Sequence, residues 1–218
     1  MIVTHVDVTG DGKMRAAILE DRRKLVIKDV PKPVIERDEV LIKVQYCGIC
    51  GSNLHIYVEG ISIGLGHEFS GDIVETGPDV DGWEIGDRVT VNPRVPCQEC
   101  YWCRRGEIGL CDKLFLKATR HEGAFATYVK AKCTQLHKLP DELTYEEGTI
   151  IEPMACALHS VRLSGMKIGD VVTVLGLGPI GQLIARLAKI SGAKAVYATE
   201  ISPSRIELAR DVVDLVIN

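Results

Sequence analysis

The stretch CGICGSNLH, residues 47–55, places two thiols, a hydroxyl, an amide and an imidazole in one short segment, and GHEFSG, residues 66–71, follows with an imidazole beside a carboxylate. Thiolate, imidazole and carboxylate are three ligand types that zinc accepts together. The spacing alone leaves open which of Cys47 and Cys50 serves.

A second cluster is tighter. Cys97, Cys100, Cys103 and Cys111 lie in PCQECYWCRRGEIGLC with the spacing Cys-x2-Cys-x2-Cys-x7-Cys. Four thiolates close a tetrahedral shell with no open position, which makes such a site structural. An iron-sulfur cluster also takes four cysteines, but its further sequence signatures are missing. A zinc ribbon for nucleic acid conflicts with the acidic charge balance.

The third motif is GLGPIG, residues 176–181. It follows the apolar run VVTVL and opens the amphipathic QLIARLAK, the strand-turn-helix context that a dinucleotide fingerprint requires. Gly176 suits a tight turn, Gly178 close approach of backbone to a pyrophosphate, and Gly181 close helix-strand packing; with Pro179 and Ile180 they form the cofactor loop at a helix N-terminus. Glu200 closes the next run, AVYATE, where an acid accepts hydrogen bonds from ribose hydroxyls and disfavours a 2'-phosphate, so NAD(H) is expected before NADP(H). Arg205 could instead receive that phosphate. Ser202 is the expected cap of the helix SPSRIELAR.

The runs RAAIL, KLVIKDV, EVLIKVQYCG, SGDIVETG, GDRVTVNP and AFATYVKA, cut by Gly and Pro, predict a barrel-like antiparallel β domain after a polar extension over residues 1–13. ACALHSVRLSG then reads as a linking helix. VVTVL, PIGQLIARLAKISG, AVYATE, SPSRIELAR and DLVIN alternate strand and helix, as in a parallel doubly wound sheet. The expected division is residues 1–155 and 156–218. The 218 residues carry a net charge of −4 and eight cysteines. No basic face suits nucleic acid or an anionic membrane, and no signal peptide or membrane-length apolar run is present. A cytoplasmic protein, in which clustered thiols bind metal, is expected.

Taken in order, GICGSNLH, GHEFSG, GDRV, the four-cysteine lobe, EPMACALH and VLGLGPIG resemble the zinc-dependent medium-chain alcohol dehydrogenases, especially the branch with sorbitol, butanediol and threonine dehydrogenases. The resemblance implies a GroES-like β barrel followed by the first half of a Rossmann domain. It assigns Cys50 and His67 to a catalytic zinc, Glu68 to a neighbouring carboxylate that ligates or stays behind the ligands, and Glu152 to the position that branch fills with Glu. Ser52 and His55 match the hydroxyl and imidazole of a proton relay. Two zinc ions per subunit, an alcohol or polyol substrate, and a homo-oligomer in the full-length form are what the family would bring. Cys47, Cys133 and Cys156 are expected as packing residues, His159 as structural, and His5, His121 and His137 as surface or loop residues.

Departures from the pattern carry expectations too. Asn53 stands where the family has Asp, beside the zinc-bound histidine, and an amide there would weaken that ligand. IYVEGISIGL is shorter than usual. Only the first mononucleotide half of the Rossmann domain is present, so the chain reads as a truncated dehydrogenase. A zinc-free enone reductase of the same superfamily and an inactive zinc-binding remnant are the alternatives.

Overall fold

The computed structural model describes residues 12–61, 63–113, 115–116 and 123–218, so His5, His121 and the extension before residue 12 lie outside the described residues. Two compact units divide the chain, Met1–Glu152 and Pro153–Asn218.

The first unit begins with a hairpin of β1 (Lys13–Asp21) and β2 (Lys24–Pro31). Then come β3 (Glu39–Gly48), α1 (Gly51–Glu59), β4 (Glu68–Thr76), β5 (Arg88–Val91), β6 (Arg94–Val95), α2 (Tyr101–Arg104), β7 (Phe115–Leu116), β8 (Tyr128–Lys132), β9 (Leu136–Lys138) and α3 (Tyr145–Gly148). Five of these strands pair antiparallel in the order β8-β3-β4-β5-β9. β3, an interior strand, is buried on both faces, because side chains alternate along a strand and each face meets its own cluster. Val40 and Ile42 join Phe69, Ile73, Val89, Val91 and Val129, while Leu41 packs with Met14 and Tyr128. β1 is tied in by Ala17 N–H to the Phe125 carbonyl at 2.8 Å and by Thr127 N–H to the Arg15 carbonyl at 3.0 Å.

The turn of that hairpin fixes α1. Arg23 takes a left-handed φ of 59°, its N–H donates to the Tyr57 carbonyl at 2.8 Å, and Tyr57 Oη donates back to the Arg23 carbonyl at 2.8 Å. Arg22 Nε donates to the Val58 carbonyl at 2.6 Å. These bonds engage carbonyls near the C-terminal end of α1, where helix acceptors otherwise go unmet.

The second unit takes most of α4 (Ile151–Leu163), then β10 (Val171–Leu175), α5 (Pro179–Ile190), β11 (Ala195–Thr199), α6 (Pro203–Leu208) and β12 (Leu215–Ile217). The three strands are parallel in the order β10-β11-β12, with Val172 opposite Val196 and Ala198 opposite Val216. Ala185 and Ala188 of α5 are fully buried with Val174, Leu177, Val196 and Ala198. Small alanines let helix and sheet approach closely, and α5 is correspondingly one-sided. The sequence suggests strands buried on both faces, as parallel sheets are; here Val171, Leu175, Leu215 and Ile217 are exposed, so burial alternates along β10 and β12. Among the described residues, no helix is long and apolar enough to cross a membrane.

Gly71, in the middle of β4, faces Val44 of β3 and Val89 of β5. A Cβ there would lie 2.2 Å from the Lys43 carbonyl oxygen, a backbone atom that cannot move alone. Gly71→Ala is therefore expected to cost roughly 1 to 3 kcal/mol through forced separation of β3 and β4. Thermal unfolding monitored by circular dichroism checks this; an unchanged midpoint would mean that the strands part freely.

Candidate metal and dinucleotide sites

β3 and β4 run antiparallel with Cys47 opposite Phe69 and Gly48 opposite Glu68. The residues just beyond the end of β3 and just before the start of β4 are thereby brought to one edge of the sheet. Cys50 stands there as the residue preceding α1, His67 directly before β4, and Glu68 as its first residue. Their ligand atoms all lie within 4.8 Å of one another, and each residue is partly buried. Gly48 makes room for this: a Cβ would sit 2.7 Å from Glu68 Oε2. The donor set of one thiol, one imidazole and one carboxylate suits zinc with a fourth position open.

Cys47 is in the core, 2% exposed, and burial, followed by the negative charge of Glu68, pushes its thiol far above the ordinary range. A thiol that resists ionisation is a poor ligand. Of the two thiols in CGICGSNLH, only Cys50 joins the cluster. Asn53 has a task that its residue type alone does not announce. It is buried, and its Oδ1 accepts from the Cys50 N–H at 3.1 Å, so the amide anchors the entrance of α1 and the cysteine on it. An oxygen acceptor is all that bond requires, which explains how an amide serves there.

Ser52 and His55 are exposed and three positions apart on α1, hence on one face. Glu152, in the first turn of α4, lies outside the three-residue cluster but within its field. Burial and then the charge of Glu68 hold its carboxyl above the usual range, against the pull of His67 and Arg94. Arg94 was not expected here; an isolated arginine before the cysteine lobe carries no sequence signal for it. Cys156 and His159 are exposed on α4, so Cys156 is not the packing residue expected; Cys133 is partly buried, and His137 is exposed on β9.

In the cysteine lobe, the Sγ atoms of Cys97, Cys100, Cys103 and Cys111 also lie within 4.8 Å of one another, with Cys97 and Cys103 3.9 Å apart. Thiolates at zinc-sulfur distances of about 2.3 Å would be about 3.8 Å apart, so a zinc ion fits. Backbone amides point at the sulfurs: Cys100 N–H at Cys97 Sγ (3.4 Å), Cys103 N–H at Cys100 Sγ (3.5 Å) and Cys97 N–H at Cys111 Sγ (3.3 Å). Gln98, with a left-handed φ of 67°, turns the chain between the first two cysteines. The amides of Cys103 and Asp112 lower the Cys100 thiol to about 6, whereas burial and then the neighbouring thiols push Cys103 up to about 12. Ionising all four sulfurs calls for a cation among them.

The glycines of the second unit play three distinct parts. Gly176 has φ 90°, which favours glycine; Gly178 faces open space; and a Cβ on Gly181 would lie 2.0 Å from the Gly176 carbonyl oxygen. α5 starts with Pro179 directly after Gly178, and the first-turn amides of a helix have no acceptor within it. Glu200 is 7% exposed and fully engaged. Its Oε2 accepts from Leu177 N–H at 3.0 Å, its Oε1 from Ile201 N–H at 2.8 Å and Ser202 N–H at 2.9 Å, and Arg205 Nη1 stands 3.6 Å away. The Ser202 amide leads the bonds that hold this carboxyl below the usual range. Ser202, expected to cap α6, makes no side-chain cap bond and contacts Ser204 instead.

Residues 36–141 match the alcohol dehydrogenase GroES-like domain family. Sorbitol dehydrogenase of Bacillus subtilis (strain 168) is 39% identical over 207 residues, covering 90% of this chain and 58% of that protein. (R,R)-butanediol dehydrogenase of the same organism is 37% identical over 222 residues, covering 94% of this chain and 63% of that one. The chain thus spans less than two thirds of the length of these curated relatives. A candidate zinc-binding dehydrogenase of Sinorhizobium meliloti 1021, solved bound to NADP, superposes with a TM-score of 0.89 at 34% identity over 94% of this chain and 62% of that one. The first unit has a GroES-like fold, and the second is a partial Rossmann domain. With both folds and both cysteine-bearing clusters in the same order, residues 36–141 belong to the alcohol dehydrogenase GroES-like domain family, and the chain as a whole is similar to the zinc-binding alcohol and polyol dehydrogenases.

Proposed function

We propose that the protein is an oxidoreductase that transfers hydride from a secondary alcohol or polyol to a nicotinamide dinucleotide, the first unit holding the metal and the second the cofactor. The observation that carries this is the meeting of Cys50, His67 and Glu68 donor atoms within 4.8 Å at one sheet edge. When bound, zinc lowers the pKa of an alcohol and the nicotinamide accepts the carbinol hydrogen as hydride. Cys50, His67 and Glu68 hold the catalytic zinc, and the cysteine lobe holds the structural one. Glu152, whose carboxyl is held above the usual range by burial, is the one that could exchange with Glu68 as substrate binds. Ser52 takes the hydroxyl proton of the alcohol, and His55, on the same exposed face of α1, receives it and delivers it to water.

For the cofactor, the ionised Glu200 favours ribose hydroxyls over a 2'-phosphate, and so NAD(H). NADP(H) is the second reading: Arg205 is half exposed beside Glu200, and the Sinorhizobium relative was solved with NADP.

Metal analysis by plasma mass spectrometry should find two zinc ions per chain. Cys103→Ser is expected to lose one and loosen the lobe, Cys50→Ser to lose the other with the first unit still folded, and Glu152→Ala to keep both while the second ion yields faster to a chelator. Full occupancy in Cys50→Ser contradicts the catalytic site, and one zinc without cofactor binding would make the protein a scaffold.

Nucleotide titration by fluorescence should show tighter binding of NADH than NADPH. Glu200→Gln keeps the side chain's volume but removes its charge, and is expected to narrow the preference about ten-fold. Equal binding by the unaltered chain would transfer the assignment to Arg205.

A further inference from the structure

Gln182 lies one turn into α5, one residue beyond the glycine loop, and its side-chain amide touches three elements of the second unit. Nε2 donates to the Leu177 carbonyl at 3.3 Å and to the Arg205 carbonyl at 2.7 Å. Oε1 accepts from Arg186 Nη1 at 3.0 Å, and Arg186 Nη2 reaches the Leu208 carbonyl at 2.9 Å and Asp211 Oδ1 at 3.2 Å. A guanidinium only donates, so Arg186 fixes the amide oxygen on its own side and turns the NH2 group toward the two carbonyls.

Leu177 is consequently held from both directions, its N–H by Glu200 Oε2 and its carbonyl by Gln182 Nε2. Arg205 is held twice as well, its guanidinium beside Glu200 and its carbonyl on Gln182. The loop that would cradle the phosphates and the segment that would read the ribose therefore share one side chain.

We propose that Gln182 is a positioning residue that sets α6 in register with the glycine loop, and thereby keeps Arg205 on Glu200 and away from a 2'-phosphate. The proposal rests on the dinucleotide reading of this loop. Without the amide, α6 loses its tie to α5 at Arg205, and that guanidinium is freer to leave Glu200 for a phosphate.

The test uses the intact 218-residue chain and two probes that carry only the adenosine end of the cofactor, ADP-ribose and 2'-phospho-ADP-ribose, with calorimetric titration. Gln182→Met, similar in length and without hydrogen-bonding groups, is expected to weaken ADP-ribose about five-fold while leaving 2'-phospho-ADP-ribose nearly unchanged, so that discrimination narrows. Arg186→Met, which frees the amide to flip, should narrow it in the same direction by less. A residue that merely braces the fold would weaken both probes equally; equal weakening, or unchanged discrimination in both variants, overturns the proposal. Failure of the unaltered chain to bind either probe overturns the dinucleotide reading itself and the proposal with it. Should Gln182→Met not fold, Arg186→Met alone decides between narrowing and none.

Discussion

The pairing of β3 with β4 is the constraint on which the metal chemistry rests. Two antiparallel strands set in one register fix the positions of whatever immediately follows the first and precedes the second. With Gly48 opposite Glu68, the carboxylate lies over a residue without a side chain, and Cys50 and His67 meet beside it. A one-residue slip of β4 would turn Glu68 to the other face, away from Cys50. The clusters on both faces of β3 resist that slip, since it would expose the apolar side chains that form them. Stability of the sheet and geometry of the site are therefore the same property.

The second unit achieves the same end with polar contacts. Glu200 gathers three backbone amides, one from the glycine loop and two from the entry to α6, and Gln182 gathers the matching carbonyls. A buried carboxylate supplied with that many donors remains charged. It supports the loop mechanically and places a negative charge where a ribose would arrive. Replacing it would remove a brace and, on the proposed dinucleotide reading, a recognition element together, so charge-only substitutions separate the two better than truncation.

Much of this was legible beforehand because the chemistry demands particular residues at particular spacings. The four-cysteine lobe and the glycine loop are local motifs, and local motifs survive in sequence. Short apolar runs cut by turns, and strand runs alternating with helical ones, likewise disclosed the two units. What stayed hidden depends on contacts distant along the chain. The part played by Gly48 needs the register with Glu68, and Arg94 approaches Glu152 only in three dimensions. Asn53 bonds to the amide of Cys50, which precedes it by three residues, a contact that residue type alone does not announce. Ser202 had the right residue type for a cap, yet its hydroxyl contacts the Ser204 hydroxyl rather than an amide of the first turn. Capping propensity is a weak preference, which local side-chain contacts can override.

The central claim is that one thiolate, one imidazole and one carboxylate, brought together by strand register, hold a metal with a position to spare. Cobalt(II) exchanged into the open site, with the closed four-thiolate site left in zinc, reports on that site alone through X-ray absorption at the cobalt edge. The structure predicts a single sulfur neighbour at about 2.3 Å among nitrogen and oxygen neighbours at about 2.0 to 2.2 Å. A shell with no sulfur, or with four, would contradict it.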